Sequence, residues 1–277
     1  MFETDPVAID LNVDAALLLQ DMVGIEAYPM VLALRPNIYN IADRNRVRAI
    51  IAAELTEVGI IDDDRVHPTV EHWLHCLDRP DVELVVRILD TGLDGEPRGM
   101  LRMSLVRRGE RQVLAVRCDD NIVIQPVFQE GRDVESVSAA LMAALGSCPP
   151  LSFAPLTASS EDFAAMSSDP TERRNALLDL GAEPQTARVL SQALFEVVRQ
   201  AEVVMIEHHD GVSVQPDVCL SVVDTVSGRL AVTPSRSMDG VIWSTYAPGD
   251  DSTLHAGIRA LIDLLPGRSW FDTSRIG

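Results

Sequence analysis

Apolar positions set the first expectations. In the segment Asp10 to Val23, Val13, Ala16 and Leu17 recur at helical spacing behind a candidate N-cap, Asp10 or Asn12. Tyr28 to Leu34 is short, apolar and closed by Arg35-Pro36-Asn37, and it reads as a buried strand. Ile41 to Val58 predicts a helix with Val47, Ile50, Ile51, Leu55 and Val58 on one face and Gly59 as its natural stop. After the polar break Asp62-Asp63-Asp64, a second helix is expected from Pro68 to Leu77, since proline suits a first helical turn. The pattern then changes period. Val82–Leu89, Met100–Arg107, Gln112–Arg117 and Ile122–Phe128 read as strands separated by turn-rich breaks, and a helix follows from Asp133 to Leu145.

Beyond the link Gly146–Pro150 the plan repeats. Helices are expected over Ser160–Met166, Pro170–Leu180 and Pro184–Phe195. Strands are expected over Glu202–His208, Val218–Asp224, Arg229–Thr233 and Val241–Tyr246, and a last helix over Asp251–Leu265. Val85-Val86 answers Val203-Val204, Leu101 answers Cys219, Arg111 answers Arg229 and Asp133 answers Asp251, all at a shift of about 118 residues. The expected fold is therefore α+β, a pseudo-two-fold duplication of an antiparallel β-meander with helices on one face. Its halves are residues 1–148 and 149–277 of one compact unit. Short polar turns permit hairpins but not crossovers, and Asp239-Gly240 signals a two-residue hairpin.

Composition narrows the function. The 277 residues include 42 acidic and 23 basic side chains, a net charge of −19, with 47 % apolar residues and a pI near 4.6. There is ample material for a core, and the charge argues against gripping a phosphate backbone. The start of the chain carries Glu3, Asp5 and Asp10 with no basic residue, the reverse of a secretory signal. Apolar stretches such as Ala15–Leu19 fall far short of the roughly 20 residues of a membrane span. Cys76, Cys118, Cys148 and Cys219 are scattered, as expected of reduced thiols in a cytoplasmic protein.

Candidate chemistry is sparse. His67, His72 and His75 lie close together, but no HExxH pattern accompanies them. In Glu207-His208-His209-Asp210 the adjacent histidines must point to opposite faces of a strand. No GxSxG elbow, SxxK pair or phosphate-cradling glycine loop occurs. Asp62-Asp63-Asp64 lacks the glycine and distal glutamate of a calcium loop and reads as a solvated turn. The expectation is no catalytic residue, no metal and no cofactor. A metal-dependent enzyme using these histidines and a scaffold that self-associates through its sheet stand as the alternatives. The break Thr91–Arg98 is long for a hairpin and carries Leu93 among charges, as a contact loop would.

The second half carries a further signal. Asp224-Thr225-Val226-Ser227-Gly228-Arg229, Pro234-Ser235-Arg236, Asp239-Gly240, Trp243-Ser244-Thr245, Pro248-Gly249, Leu264-Leu265-Pro266 and Trp270-Phe271 follow in an order that resembles the EspG family, cytosolic chaperones of mycobacterial type VII (ESX) secretion. Tyr28-Pro29-Met30-Val31-Leu32, Val58-Gly59, Arg79-Pro80 and Arg107-Arg108-Gly109 agree with it. The resemblance implies a protein that binds PE–PPE heterodimers through the tip of the PPE subunit, keeps them soluble and targets them for secretion. It implies no nucleic-acid partner, no membrane insertion, and a monomer or weak dimer when free. The contact surface it implies combines the central sheet, the loop between the first two meander strands and helices of the C-terminal half. Here that assigns Leu93, Asp94, Glu96 and Arg98, with Arg229 and Arg236 on exposed sheet positions.

Overall fold

The computed structural model describes residues 5–275 apart from Asn37, Tyr39 and Glu130. In chain order the first half contains β1 (Ile9–Asn12), α1 (Val13–Val23), a 3-10 turn (Met30–Leu32), α2 (Ile41–Glu57), β2 (Ile61–Asp62), β3 (Arg65–Val66) and α3 (Pro68–Asp78). The meander β4 (Val82–Thr91), β5 (Pro97–Arg108), β6 (Arg111–Cys118) and β7 (Asn121–Val127) follows, then α4 (Glu135–Leu145). The second half contains β8 (Leu156–Ser159), α5 (Ser160–Ala164), α6 (Pro170–Asp179), α7 (Pro184–Ala193), β9 (Val197–His209), β10 (Val212–Val214), β11 (Leu220–Thr225), β12 (Gly228–Arg236), β13 (Ile242–Pro248) and α8 (Asp251–Asp263).

One antiparallel sheet runs through the molecule in the order β1-β7-β6-β5-β4-β9-β11-β12-β13-β8, with β10 beside β9. The order is a palindrome of the two halves about the β4–β9 seam. Pairing register refines the repeat. Val86 pairs with Val203, Met103 matches Leu220 and Val113 matches Leu230, so equivalent residues lie 117 apart (203 − 86), not about 118. The difference decides the faces, because a one-residue slip turns every side chain to the other side of a sheet. At 117, Leu84, Val86, Met103 and Leu105 map onto Ala201, Val203, Leu220 and Val222, all in one core cluster.

Helices cover both faces, which corrects the expectation of a single covered face. On one face α4 and α8 lie side by side over the central strands, joined by Ser138 Oγ and His255 Nδ1 at 3.0 Å. On the other, α1 to α3 cover β5, β6, β7 and β1, while α5 to α7 cover β11, β12, β13 and β8. The faces of β4 and β9 between these two helical groups lie bare of helix. Val82 to Val86 is nonetheless buried residue after residue, because α4 and α8 cover Val82, Leu84 and Val86 while the 3-10 segment and His208 cover Val85 and Glu83 on the other side.

Local chemistry explains several boundaries. Asn12, not Asp10, caps α1, accepting from Ala15 N at 2.8 Å, because Ile9 to Asn12 is taken up as the edge strand β1 against β7. Gly59 follows α2 at φ +74°, and the Ile60 N to Leu55 O and Gly59 N to Thr56 O bonds complete a Schellman end. Ile51 and Leu55 are buried on α2, whereas Ile50 and Val58 are exposed, so its apolar face is narrower than expected. The Asp63 and Asp64 pair adopts positive φ in the β2–β3 hairpin, a role for short polar side chains in solvent. Tyr28–Leu34 is not a strand. Pro29 lacks a ladder donor and the chain coils into the 3-10 turn, burying Tyr28, Val31 and Leu32 while Met30 points outward. Asn37, expected to close that segment, lies outside the described residues. The Asp239-Gly240 turn is also longer than expected: Ser237 N bonds Val241 O at 3.0 Å and only Gly240 has positive φ, giving a three-residue loop.

Candidate docking surface

Two buried clamps tie the halves together. Arg107 pairs with Gln112 across β5–β6, and their equivalents at +117 are Asp224 and Arg229, which pair across β11–β12. In the second half, Arg229 grips Asp224 through two bonds of 2.6 and 2.9 Å and donates to Leu145 O at the end of α4. The link after α4 continues onto the same residue, with Arg229 N to Pro149 O and Leu151 N to Arg229 O both at 2.7 Å. In the first half, Arg107 donates to Asp81, to Thr273 O and Oγ1, and to Trp270 O, all on buried partners or the segment after α8. Asp81 Oδ1 accepts from Arg275 N at 2.8 Å. Burial pushes the Arg107 guanidinium below its ordinary range, and the adjoining Asp81 carboxylate opposes that. Each half thus holds the chain leaving the other half's last helix.

This placement corrects one expected contact. Arg229 is 4 % exposed and fully engaged, so it is a structural clamp and not a surface side chain. Arg236, at the end of β12, is exposed with no ion pair among the described residues.

The residues Leu93, Asp94, Glu96 and Arg98 lie in or beside the hairpin that joins β4 and β5. β5 runs past the end of β6, and the hairpin Gly92–Glu96 presents Leu93 with 74 % of its surface in water. Gly92 N to Glu96 O and Gly95 N to Gly92 O, each 2.9 Å, close the loop. Asp94 holds it from inside, accepting from Glu96 N at 3.1 Å and from Arg98 at 2.7 Å. Asp94 and Arg98 are therefore spent on each other, while Glu96 is exposed. A side chain at Gly92 would run into the Asp94 carboxylate and the Arg98 guanidinium.

Two apolar residues missed in the sequence join Leu93 at this end of the sheet. Phe195, just past α7, is 65 % exposed, and Val226, in the β11–β12 turn, is 62 % exposed. Bonds between their chain neighbours link the three segments: the Thr91 hydroxyl donates to Val197 O at 3.5 Å, and Val226 N donates to Glu196 O at 3.2 Å. Their signal was present, since an aromatic or aliphatic residue just past a helix end or inside a polar turn has no core to enter.

The opposite end, equivalent by the pseudo-two-fold, is concave. A cleft of about 590 Å³ lies between the end of α3, the 3-10 turn and the β9–β10 hairpin, floored by Val85, Val204 and Ile206. His208 and His209 point to opposite faces, as the strand period requires. His208 faces the cleft, with Nδ1 2.8 Å from Ser213 Oγ and Nε2 3.3 Å from Glu83, while His209 meets Glu207 at 3.0 Å behind the sheet. Ser104 donates to the other Glu83 oxygen at 2.8 Å. This row ties β10, β9, β4 and β5 together.

The remaining histidines are absorbed locally. His67 caps α3 by accepting from Thr69 N, and His75 lies 3.9 Å from Glu71. Cys76 Sγ lies 3.5 Å from His72 Nε2, and burial pushes the thiol up and the imidazole down, so neither is poised to ionise. No group of three or more metal-ligating side chains forms among the described residues, and no helix there is long and apolar enough to cross a membrane.

Comparison with known proteins agrees with the architecture. The EspG family profile matches residues 12–260. The ESX-1 secretion-associated protein EspG1 of Mycobacterium marinum is 30 % identical over 97 % of this chain and 92 % of its own length. The ESX-3 secretion-associated protein EspG3 of Mycolicibacterium smegmatis is 30 % identical over 96 % and 90 %. Among solved structures, the Mycobacterium tuberculosis type VII secretion chaperone EspG5, in complex with a PE25–PPE41 dimer, superposes with a TM-score of 0.79 at 22 % identity, covering 96 % of this chain and 99 % of that one. With a family profile spanning most of its length and full-length relatives at this identity, the chain belongs to the EspG family.

Proposed function

We propose that this protein is a cytoplasmic chaperone of a type VII secretion system, binding a PE–PPE heterodimer through the PPE subunit, keeping it soluble and delivering it for export without turnover or cofactor. One observation carries the reading: Leu93, Phe195 and Val226 gather at a single end of the sheet, held out in water by ordered backbone. Exposed apolar side chains held this way mark an interface. Burying such a surface is worth roughly 25 cal/mol per Å² before the costs of association. The loop charges serve two purposes. Asp94 and Arg98 shape the hairpin and Glu96 supplies a rim contact, whereas Arg236 lies at the far end of β12 from Val226, outside this patch. The net charge of −19 keeps the complex soluble and steers away acidic competitors.

Co-expression with the PE–PPE pair encoded beside it, followed by size-exclusion chromatography, tests the reading. A co-eluting complex is expected, with the free chain running as a monomer or weak dimer. Separate elution of chain and pair would contradict it.

A further inference from the structure

The seam between the halves is symmetric in backbone but not in chemistry. β4 and β9 pair from Val82 opposite Glu207 at one end to Asp90 opposite Arg199 at the other, so the pseudo-two-fold makes Glu207 the equivalent of Asp90 and Val82 the equivalent of Arg199. At the end that carries Leu93 and Phe195 the pair is ionic, with Arg199 Nε donating to Asp90. At the other end Val82 offers no charge, and Glu207 is spent on His209 and Gly267 N. Arg199 does more than pair. Its Nη1 donates to Leu145 O at 2.8 Å, the same carbonyl that accepts from Arg229 Nη2 at 3.2 Å. Leu145 ends α4, whose last turn carries no basic residue, so two arginines of the second half supply the cations that the negative end of a helix favours. Arg229 in turn grips Asp224 at the base of the β11–β12 turn. One path of hydrogen bonds therefore runs from Asp90 through Arg199, Leu145 O and Arg229 to Asp224.

That path lies at the level where the regular ladder fails. Arg199 stands in the row between Asp90 of β4 and Asp224 of β11, and the register slips just past both neighbours, between Asp90 and Thr91 on β4–β5 and between Asp224 and Thr225 on β11–β9. The three exposed apolar side chains all sit just beyond this row: Leu93 three residues past Asp90, Phe195 four before Arg199 and Val226 two past Asp224. Main-chain pairing alone therefore does not set how the three segments stand to one another, and a side-chain bridge at their common base does. A segment ordered only on association subtracts from affinity, so ordering it beforehand strengthens binding without any new contact. We infer that Arg199 is a positioning residue of the docking end, bridging β4, β9 and α4 so that the segments bearing Leu93, Phe195 and Val226 stand as one surface before a partner arrives. The inference rests on the reading of that end as the one that receives the PE–PPE pair.

The test uses the full chain and the variants Arg199→Ala, Arg199→Lys, Asp90→Ala and the double variant Asp90→Ala with Arg199→Ala. In the free chain, Arg199→Ala should quicken amide hydrogen exchange about 5-fold over residues 91–98, 195–198 and 225–228, with little change in denaturant midpoint, because the ion pair is half-exposed. Arg199→Lys keeps the charge but has no fork to span Asp90 and Leu145 O, so it should behave as Arg199→Ala does. The double variant should exchange no faster than Arg199→Ala, since both changes cut one path. Titration with the PE–PPE pair encoded beside the protein should give about 10-fold weaker binding for Arg199→Ala. Unchanged exchange in the three segments, full rescue by lysine, additive effects in the double variant, or quickened exchange with undiminished affinity would each overturn the inference. Should Arg199→Ala fail to fold, Asp90→Ala, which leaves the bond to Leu145 O in place, gives the same decision from residues 91–98. A parent chain that binds no such pair would sink the PE–PPE reading instead, and the exchange measurements would still decide on the bridge.

Discussion

The two halves of this molecule use the same clamp position for opposite polarities, and the contrast shows what a duplicated fold conserves. In the first half the buried arginine is Arg107 on β5; in the second it is Arg229 on β12, and the equivalent of Arg107 is the acid Asp224. What persists is the task. Each clamp pins the segment leaving the partner half's last helix, α8 for Arg107 and α4 for Arg229. Because each arginine satisfies backbone carbonyls that would otherwise be buried without a donor, the clamps weld the halves into one sheet. The two ends diverge instead. One extends its loop and exposes apolar side chains, while the other folds its loop back as β10 and encloses a cleft. A rigid, symmetric middle leaves the ends free to differ.

Breaking the clamps should give the largest effects. Arg229→Ala leaves Asp224 buried and unpaired and is expected to cost about 3–5 kcal/mol, read by chemical denaturation. Arg107→Ala should cost at least as much, since it also orphans Trp270 O and Thr273 O, and hydrogen exchange should rise selectively over residues 268–275. Gly228→Ala comes next. Gly228 sits at φ +137° with Pro149 O 2.8 Å from where a Cβ would stand, so strain and clash together should cost about 1–3 kcal/mol. It should loosen the link to the first half more than the docking end.

Caps sharpen the comparison at smaller scale. Asn12→Ala on α1 and Asp250→Ala on α8 should each cost about 1 kcal/mol. They should differ in pH dependence. Bonds from Ser252 Oγ and Thr253 N hold the Asp250 carboxyl below the usual carboxylate range. Its contribution is therefore full above the unfolded value near ~4 and is lost as pH falls through the depressed folded value. The penalty of Asp250→Ala should shrink in acid, and that of Asn12→Ala should not. The smallest effect is expected at Asp94→Ala, where an exposed pair with Arg98 contributes at most about 1 kcal/mol and the change should appear in loop exchange and not in global stability.

Much of the fold was legible because periodicity is local. The long helices, the eight meander strands and the repeat itself follow from spacing within single segments. Edge strands were not: Ile9–Asn12 and Leu156–Ser159 are four residues long and run straight into helices, so too few alternations separate them from a helical start. The exact shift also required pairing register, since turns of unequal length hide a single residue. For the candidate site, the exposed β4–β5 loop was legible as a long polar break around Leu93. The fate of Arg229 was not, although Asp224 five residues earlier across a turn is the spacing of a hairpin pair. The cleft could not be read at all, because Val85, Val204 and Met30 meet only through the sheet.

The central claim is that apolar side chains at the β4–β5 end receive the partner. The most direct measurement is size-exclusion co-elution of a PE–PPE pair with Leu93→Asp and Phe195→Asp, singly and together, beside Met30→Asp at the other end. Loss of the complex in the double variant, with Met30→Asp still binding and all variants unfolding at the parent's denaturant midpoint, is the predicted result. Undiminished co-elution of the double variant would contradict it.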